Sequence, residues 1–174
     1  MYISGYYSNN VPYVELRTKS FYSFGIGASH VHELLNRAID LNYSAIALTD
    51  YNMCGSLEFA RQANNLGIQP IVGAEITFTD GSRMALLAKN RIGYSNICRT
   101  LTLANRWDRK NPRIEFDDLK PYTSGVILLT GFYRGKVSTL VSSGNIQKAK
   151  NLLREYAECF EEDSVYVELS HNLV

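Results

Sequence analysis

Apolar and polar positions alternate along the chain in two rhythms, and the order in which the rhythms change predicts its architecture. Pro12–Arg17 alternates with a period of two, as a half-buried strand does. Ser29 can cap a helix whose inner face carries Val31, Leu34, Leu35, Ala38 and Leu41. Ser44–Thr49 is a short apolar run of the buried-strand type. A helix from about Ser56 follows it, and Gly67 can terminate that helix. Gln69–Phe78 predicts the next strand, Asp80-Gly81 a tight hairpin turn, and Met84–Ala88 the returning strand.

The second half continues in the same way. Tyr94–Asn105 is helical through Tyr94, Ile97, Leu101 and Ala104, and Asp108–Lys120 is a polar loop with at most one helical turn. Gly125–Thr130 is another buried strand. A long helix capped by Asn145 turns Ala149, Leu152, Leu153, Tyr156, Ala157 and Phe160 inward, and Val165–Leu169 closes as a strand. Strands alternating with helices predict right-handed β-α-β units, hence an α/β fold with a mainly parallel sheet, open or curled into a barrel. At 174 residues this is one domain.

Composition removes several classes of function. The net charge of +1 gives no overall preference for nucleic acid, and no apolar run is long enough to span a bilayer. The polar, aromatic start Met1–Asn10 does not read as a secretory signal, and a cytoplasmic location is expected. Cys54, Cys98 and Cys159 are odd in number and far apart, so free thiols are expected.

In such folds, sites form at the carboxyl ends of the strands, which here means Arg17 to Lys19, Asp50 to Asn52, Glu75, Thr130 and His171. Arg17 and Lys19 are two apart on a strand and project from the same face. The cluster therefore holds two cations, the carboxylates of Asp50 and Glu75, the side chains of Tyr51 and Asn52, and no imidazole. Cations repel metal ions, so neither a metal nor any other cofactor is expected. His30 and His32 fall in the first turn of a helix, where residues two apart diverge by roughly 200°, and they read as surface residues. Gly25-Ile-Gly27 lacks the third glycine of a dinucleotide loop and reads as a mobile turn. Gly131–Gly135 is a loop near a phosphate at most, and no nucleophile elbow is present.

Lys89–Arg113 holds seven cations against Asp108, with Tyr94 and Trp107 among them. Arg99, Arg106, Arg109, Lys110 and Arg113 are the candidate contacts to a nucleic-acid backbone. The opposite reading, a solvated face balanced by the acids of 155–163, is the one favoured here.

Eight collinear segments carry a family resemblance: Tyr13–Phe24, Gly27–Ser29, Ala45–Asp50, Pro70–Glu75, Leu86–Asn90, Gly93–Thr102, Gly125–Gly131 and Tyr166–Leu169. Read in order, they resemble the PHP (polymerase and histidinol phosphatase) domain of bacterial DNA polymerase III α subunits. Asn96–Ala104 and Val167–Val174 look most like the error-prone branch. The resemblance implies a distorted (β/α) barrel, incomplete at its C-terminal end, over residues 13–174, with residues 1–12 as an N-terminal extension.

The resemblance also implies that active members carry His-x-His where Arg17 and Lys19 stand. It puts an Asp at Ile26, a His and an Asp at Tyr51 and Asn52, and a His near Arg83. Of the alignable ligands only Glu75 remains, and the family's last Asp-x-His motif would fall beyond Val174. The implied protein is a non-catalytic, structural or interaction domain of a polymerase III α-type polypeptide in replication or repair synthesis. Its partners would be the rest of that polypeptide or other replication subunits, with DNA a further candidate. The alternatives are a diverged phosphoesterase using Glu75, Asp50 and His171, or a small nucleic-acid-binding module. The charge argument further predicts that Arg17 or Lys19 pairs with Glu75.

Overall fold

The computed structural model describes residues 13–169. The proposed extension 1–12 lies outside them. Six strands form one sheet in sequential order: β1 (Glu15–Thr18), β2 (Ala45–Leu48), β3 (Gln69–Thr77), β4 (Arg83–Ala88), β5 (Val126–Leu129) and β6 (Val165–Tyr166). β1, β2 and β3 pair in parallel, β4 is antiparallel to both β3 and β5, and β6 is parallel to β5. Thus β4 alone runs against the rest, because Asp80-Gly81 makes the predicted hairpin, with Gly81 at φ 84°. The sheet curls into an incomplete barrel, as expected, with helices outside.

Those helices are α1 (Val31–Asp40), α2 (Ser56–Asn65), α3 (Arg91–Ala104), α4 (Phe116–Leu119), α5 (Lys136–Ser142) and α6 (Ile146–Cys159). Strand alternation distributes the side chains. Ile46 and Leu48 of β2 face outward onto Val31, Leu35 and Phe59 of α1 and α2. Ala74, Ile76, Met84, Leu86, Val126 and Leu128 face outward onto a larger core built with Ile97, Val137, Ala149 and Tyr156. The alternate residues Ala47, Ala85, Leu87 and Leu129 face inward, where Leu16, Ile71 and Ile127 join them. Apolar side chains on both faces explain why these strands read as continuous apolar runs.

The structure corrects the sequence reading at several places. The cap of α1 is His30, not Ser29, and the Glu33 carboxylate accepts a hydrogen bond from the His30 backbone N–H at 2.7 Å. His30 is therefore extended rather than helical, and its ring stacks on His32 at 5.6 Å instead of pointing away from it. Both remain at the surface. α5 was not foreseen, because only Val137 of its seven residues is buried.

Tyr94, Leu41 and Ala157 are exposed rather than inward. In α3 the buried face uses Asn96 and Thr100, which look polar but satisfy themselves. Asn96 Nδ2 donates to the Ser124 carbonyl at 2.8 Å, and Thr100 Oγ1 donates to the Asn96 carbonyl at 2.9 Å. The final strand stops at Tyr166 rather than Leu169.

Leu86 is fully buried between α3 and the sheet. Truncation to alanine should remove about 3 kcal/mol of unfolding free energy, combining lost transfer energy with the cavity left behind. Urea unfolding of Leu86→Ala against the parent chain measures it. A change below about 1 kcal/mol would mean that this core layer is not packed as described.

Candidate functional site

The carboxyl ends of β1, β2, β5 and β6 meet at one end of the half-barrel, together with the start of β4, and this end is the mouth. Glu75 reaches it from within β3, because its place in the alternation directs it to the inner face beside Ala85. The carboxylate is only 4% exposed. Such a buried charge is costly unless it is paired and hydrogen-bonded.

Three cations compensate it. Arg17 Nη2 pairs with Glu75 Oε2, Lys19 Nζ lies 3.3 Å from the same oxygen, and Arg83 Nη1 lies 3.1 Å from Oε1. The predicted pairing is thus present twice over, and Arg83, at the start of β4, adds a third partner. Lys19 also donates to the Thr49 carbonyl. Tyr51 lies among these cations, with Lys19 Nζ 4.4 Å and Arg83 Cζ 5.0 Å from its ring centroid and its hydroxyl accepting from Arg83.

The other arm of Arg17 crosses the opening of the barrel. Its Nη1 donates to Glu168 Oε2 at 3.0 Å, and that oxygen also accepts from the Gly131 backbone N–H at 2.6 Å. Gly131 has φ 91°, and a Cβ there would lie 1.7 Å from the Arg83 carbonyl oxygen, so this close approach admits only glycine. Sequence reading missed Glu168 because it extended β6 to Leu169 and looked to His171, which lies outside the described residues. Alternation of Val165–Leu169 with a strand ending at Tyr166 would have singled out Glu168.

Asp50 does not join the cations by contact. Its carboxylate accepts from the Ser20 backbone N–H at 2.8 Å, from Ser20 Oγ at 2.5 Å and from Ser23 Oγ at 2.5 Å, and it is 1% exposed. It fixes the loop after β1. Within that loop Gly27 is held rather than mobile: its N–H donates to Ser23, and a Cβ would lie 2.0 Å from the Ser20 carbonyl oxygen. Asn52 serves the neighbouring loop, donating to the Tyr22 carbonyl at 3.1 Å and accepting from the Cys54 N–H at 2.9 Å.

Of the cationic strip, Arg99, Arg106, Arg109 and Lys110 are exposed. Arg106 and Arg109 share a depression with Asn52, Met53, Leu101 and Asn105, and Arg106 lies 5.0 Å over the ring of exposed Trp107. Arg113 differs: its guanidinium donates to the Phe78 and Thr79 carbonyls at 3.3 and 3.4 Å, bracing the β3–β4 hairpin.

The charges respond to this geometry. Burial alone would raise the Glu75 pKa, but Lys19, Arg17 and Arg83 together hold it below its ordinary 4.5. Burial pushes the Lys19 pKa down to about 8; Glu75 opposes the shift and Arg17 adds to it. The two partners move alike because Glu75 faces three cations, while Lys19 must share one carboxylate with two others. Among the described residues, no group of three or more His, Cys, Asp or Glu is placed to hold an ion together. Both oxygens of Glu75 are already engaged by cations, a donor set that does not fit a divalent metal.

This geometry and fold belong to a recognisable family. The PHP domain profile matches residues 15–172, and the chain belongs to the PHP domain family. It is similar to an error-prone DNA polymerase of Symbiobacterium thermophilum, 35% identical over 166 residues that cover 85% of this chain. It is also similar to a DNA polymerase III subunit alpha of Borreliella burgdorferi, 30% identical over 176 residues that cover 92% of the chain. The chain spans about 15% of the length of either relative.

A solved two-domain protein of Bacteroides vulgatus, containing a predicted PHP-like metal-dependent phosphoesterase, shares the fold at a TM-score of 0.52 and 17% identity. The match covers 84% of this chain and 42% of that one. Among the described residues, no helix is long and apolar enough to cross a membrane.

The pKa shifts have signs that can be checked. A carboxyl whose folded pKa lies below its unfolded value stabilises the fold above about pH 4.5 and loses that contribution as pH falls through the folded pKa. A lysine whose folded pKa lies below its unfolded value acts in another window. The unfolded chain binds the extra proton between about 8 and 10.5, so stability rises with pH there. Lysine-selective NMR should find Lys19 titrating near 8, and Lys19→Met should abolish the alkaline rise in stability. Titration of Lys19 at its ordinary value of 10.5 would contradict the buried, crowded geometry.

Proposed function

We propose that this PHP domain is a non-catalytic, structural and interaction module of a DNA polymerase III α-type protein, acting in replication or repair synthesis in the cytoplasm. The observation that carries this reading is the saturation of Glu75 by Arg17, Lys19 and Arg83. These cations stand at positions where the family resemblance puts metal-binding imidazoles. An ion pair network supplies the charge balance that metals would supply, and it leaves no carboxylate oxygen free to ligate. The domain then serves by packing on the polymerase body and by contacts to other replication subunits. The reading also places polymerase sequence beyond Val174 in the natural gene, which sequencing of the reading frame checks.

Two measurements test the site itself. After dialysis against zinc or manganese, elemental analysis should find no stoichiometric ion, and the chain should not hydrolyse a phosphate monoester. A fully occupied ion together with hydrolysis would restore the phosphoesterase reading. Glu75→Gln should destabilise the fold by about 3 kcal/mol, because it strands buried cations, whereas metal chemistry would show itself as lost activity at nearly unchanged stability.

A second reading has its own observation, the exposed Trp107 beside Arg106 in the depression shared with Arg109. An aromatic platform among cations suits a single-stranded nucleic acid. Salt-dependent affinity for a single-stranded oligonucleotide, reduced by neutralising Arg106, Arg109 and Lys110, is the expected result. Absence of affinity at low salt would leave the strip as a solvated face.

A further inference from the structure

We infer that His30 and His32 together bind one late first-row divalent ion, Cu(II) foremost, on the outer surface at the start of α1. The site is separate from the barrel interior, because neither residue lines the concavity. Inside an unbroken helix, side chains two apart diverge and such a pair could not share an ion. Here the chain turns at His30, whose φ of −70° and ψ of 158° are extended, and helical geometry begins only at Val31. Val31 is 1% exposed and fixed in the core beside Leu35, Ile46 and Leu48. The two histidines that flank it stay at the surface, and the turn in the backbone brings their rings together.

Ring geometry carries the inference. The imidazole centroids lie 5.6 Å apart, with 20° between the ring planes. An imidazole nitrogen binds such an ion at about 2.0–2.1 Å, which puts the ion roughly 3 Å from each ring centre and two rings that share it roughly 5–6 Å apart. The observed separation falls in that range, so convergence on one ion needs side-chain rotation and no movement of the backbone.

The surroundings suit a cation. Phe21 packs against His30 with ring centroids 4.4 Å apart, and the Phe21 N–H donates to the Ser29 carbonyl at 2.9 Å, which pins the loop leading into the pair. A helix N-terminus opposes positive charge, but the first turn of α1 carries Glu33 and no base. That carboxylate accepts from the His30 N–H at 2.7 Å, so a full negative charge stands beside the two rings. Among the described residues, no group of three or more His, Cys, Asp or Glu is placed to hold an ion, so the site has two protein ligands and water in its other positions. Imidazole ligands favour Cu(II), the strongest binder of the first-row divalent series, over Zn(II) and Mn(II). They disfavour Mg(II) and Ca(II), which seek oxygen. Because His30 closes the loop from Ser20 and His32 belongs to α1, a shared ion fastens that loop to the helix.

The test uses the untagged 174-residue chain carrying Cys54→Ser, since Cu(II) oxidises exposed thiols. With only two protein ligands the ion exchanges readily, so binding is read at equilibrium rather than after dialysis. Calorimetry should find one Cu(II) per chain, and electron paramagnetic resonance should show two nitrogen ligands. His30→Ala and His32→Ala should each weaken binding roughly hundredfold, the gain that a second tethered ligand confers. Among the described residues the His32 side chain makes only the ring contact with His30, so the metal-free unfolding temperature of His32→Ala should match the parent's.

A spectrum with one nitrogen ligand overturns the inference, and so does a loss of affinity in only one of the two variants, which makes a single histidine the ligand. Unchanged affinity in the double variant overturns it and leaves the metal-free reading of the mouth standing, unless the ion then disappears in Glu75→Gln. In that case the ion lies in the mouth, and both readings fail.

Discussion

A single buried carboxylate organises the mouth of this half-barrel. Strand alternation sends Glu75 inward from β3, and at 4% exposure it cannot keep its charge without partners. Compensation comes from β1 and from the start of β4, so the same interaction that neutralises the charge also fixes the relative positions of three strands. The Arg17–Glu168 pair then extends the network from β1 to the segment after β6, across the side of the sheet left open. Glu168 in turn holds the Gly131 N–H, tying in the end of β5. Charge satisfaction and barrel geometry are here the same constraint.

Two buried carboxylates a few residues from one another in the fold are solved in opposite ways. Asp50 is satisfied by a backbone N–H and two serine hydroxyls, dipoles that impose direction and so shape the loop from Ser20 to Ser23. Glu75 is satisfied by full charges, which tolerate looser geometry but crowd one another. The depressed pKa of Lys19 expresses that crowding. Cations gathered around a carboxylate engage both of its oxygens, a donor set that does not fit a divalent ion.

The sequence by itself determined the order of the strands and of every helix but α5, the one reversed strand and the cation–carboxylate pairing. Each follows from local rules: apolar periodicity, the φ preference of Asp80-Gly81, and the cost of burying an unpaired charge. Its misses have equally physical causes. Asn96 and Thr100 are buried because their hydrogen bonds close on neighbours invisible in the pattern. His30 stacks on His32 because a cap residue does not obey helical angles.

Tertiary structure alone decided which charges meet. Arg83 and Glu168 lie far from Arg17 in the chain, and only the hairpin and the curl of the sheet bring them to one carboxylate and one clasp. It also separated residues that looked alike, drawing Arg113 into the hairpin while leaving Arg106 and Arg109 exposed. Periodicity records which face a side chain takes; the partners it finds there depend on strands that the sequence lists far apart.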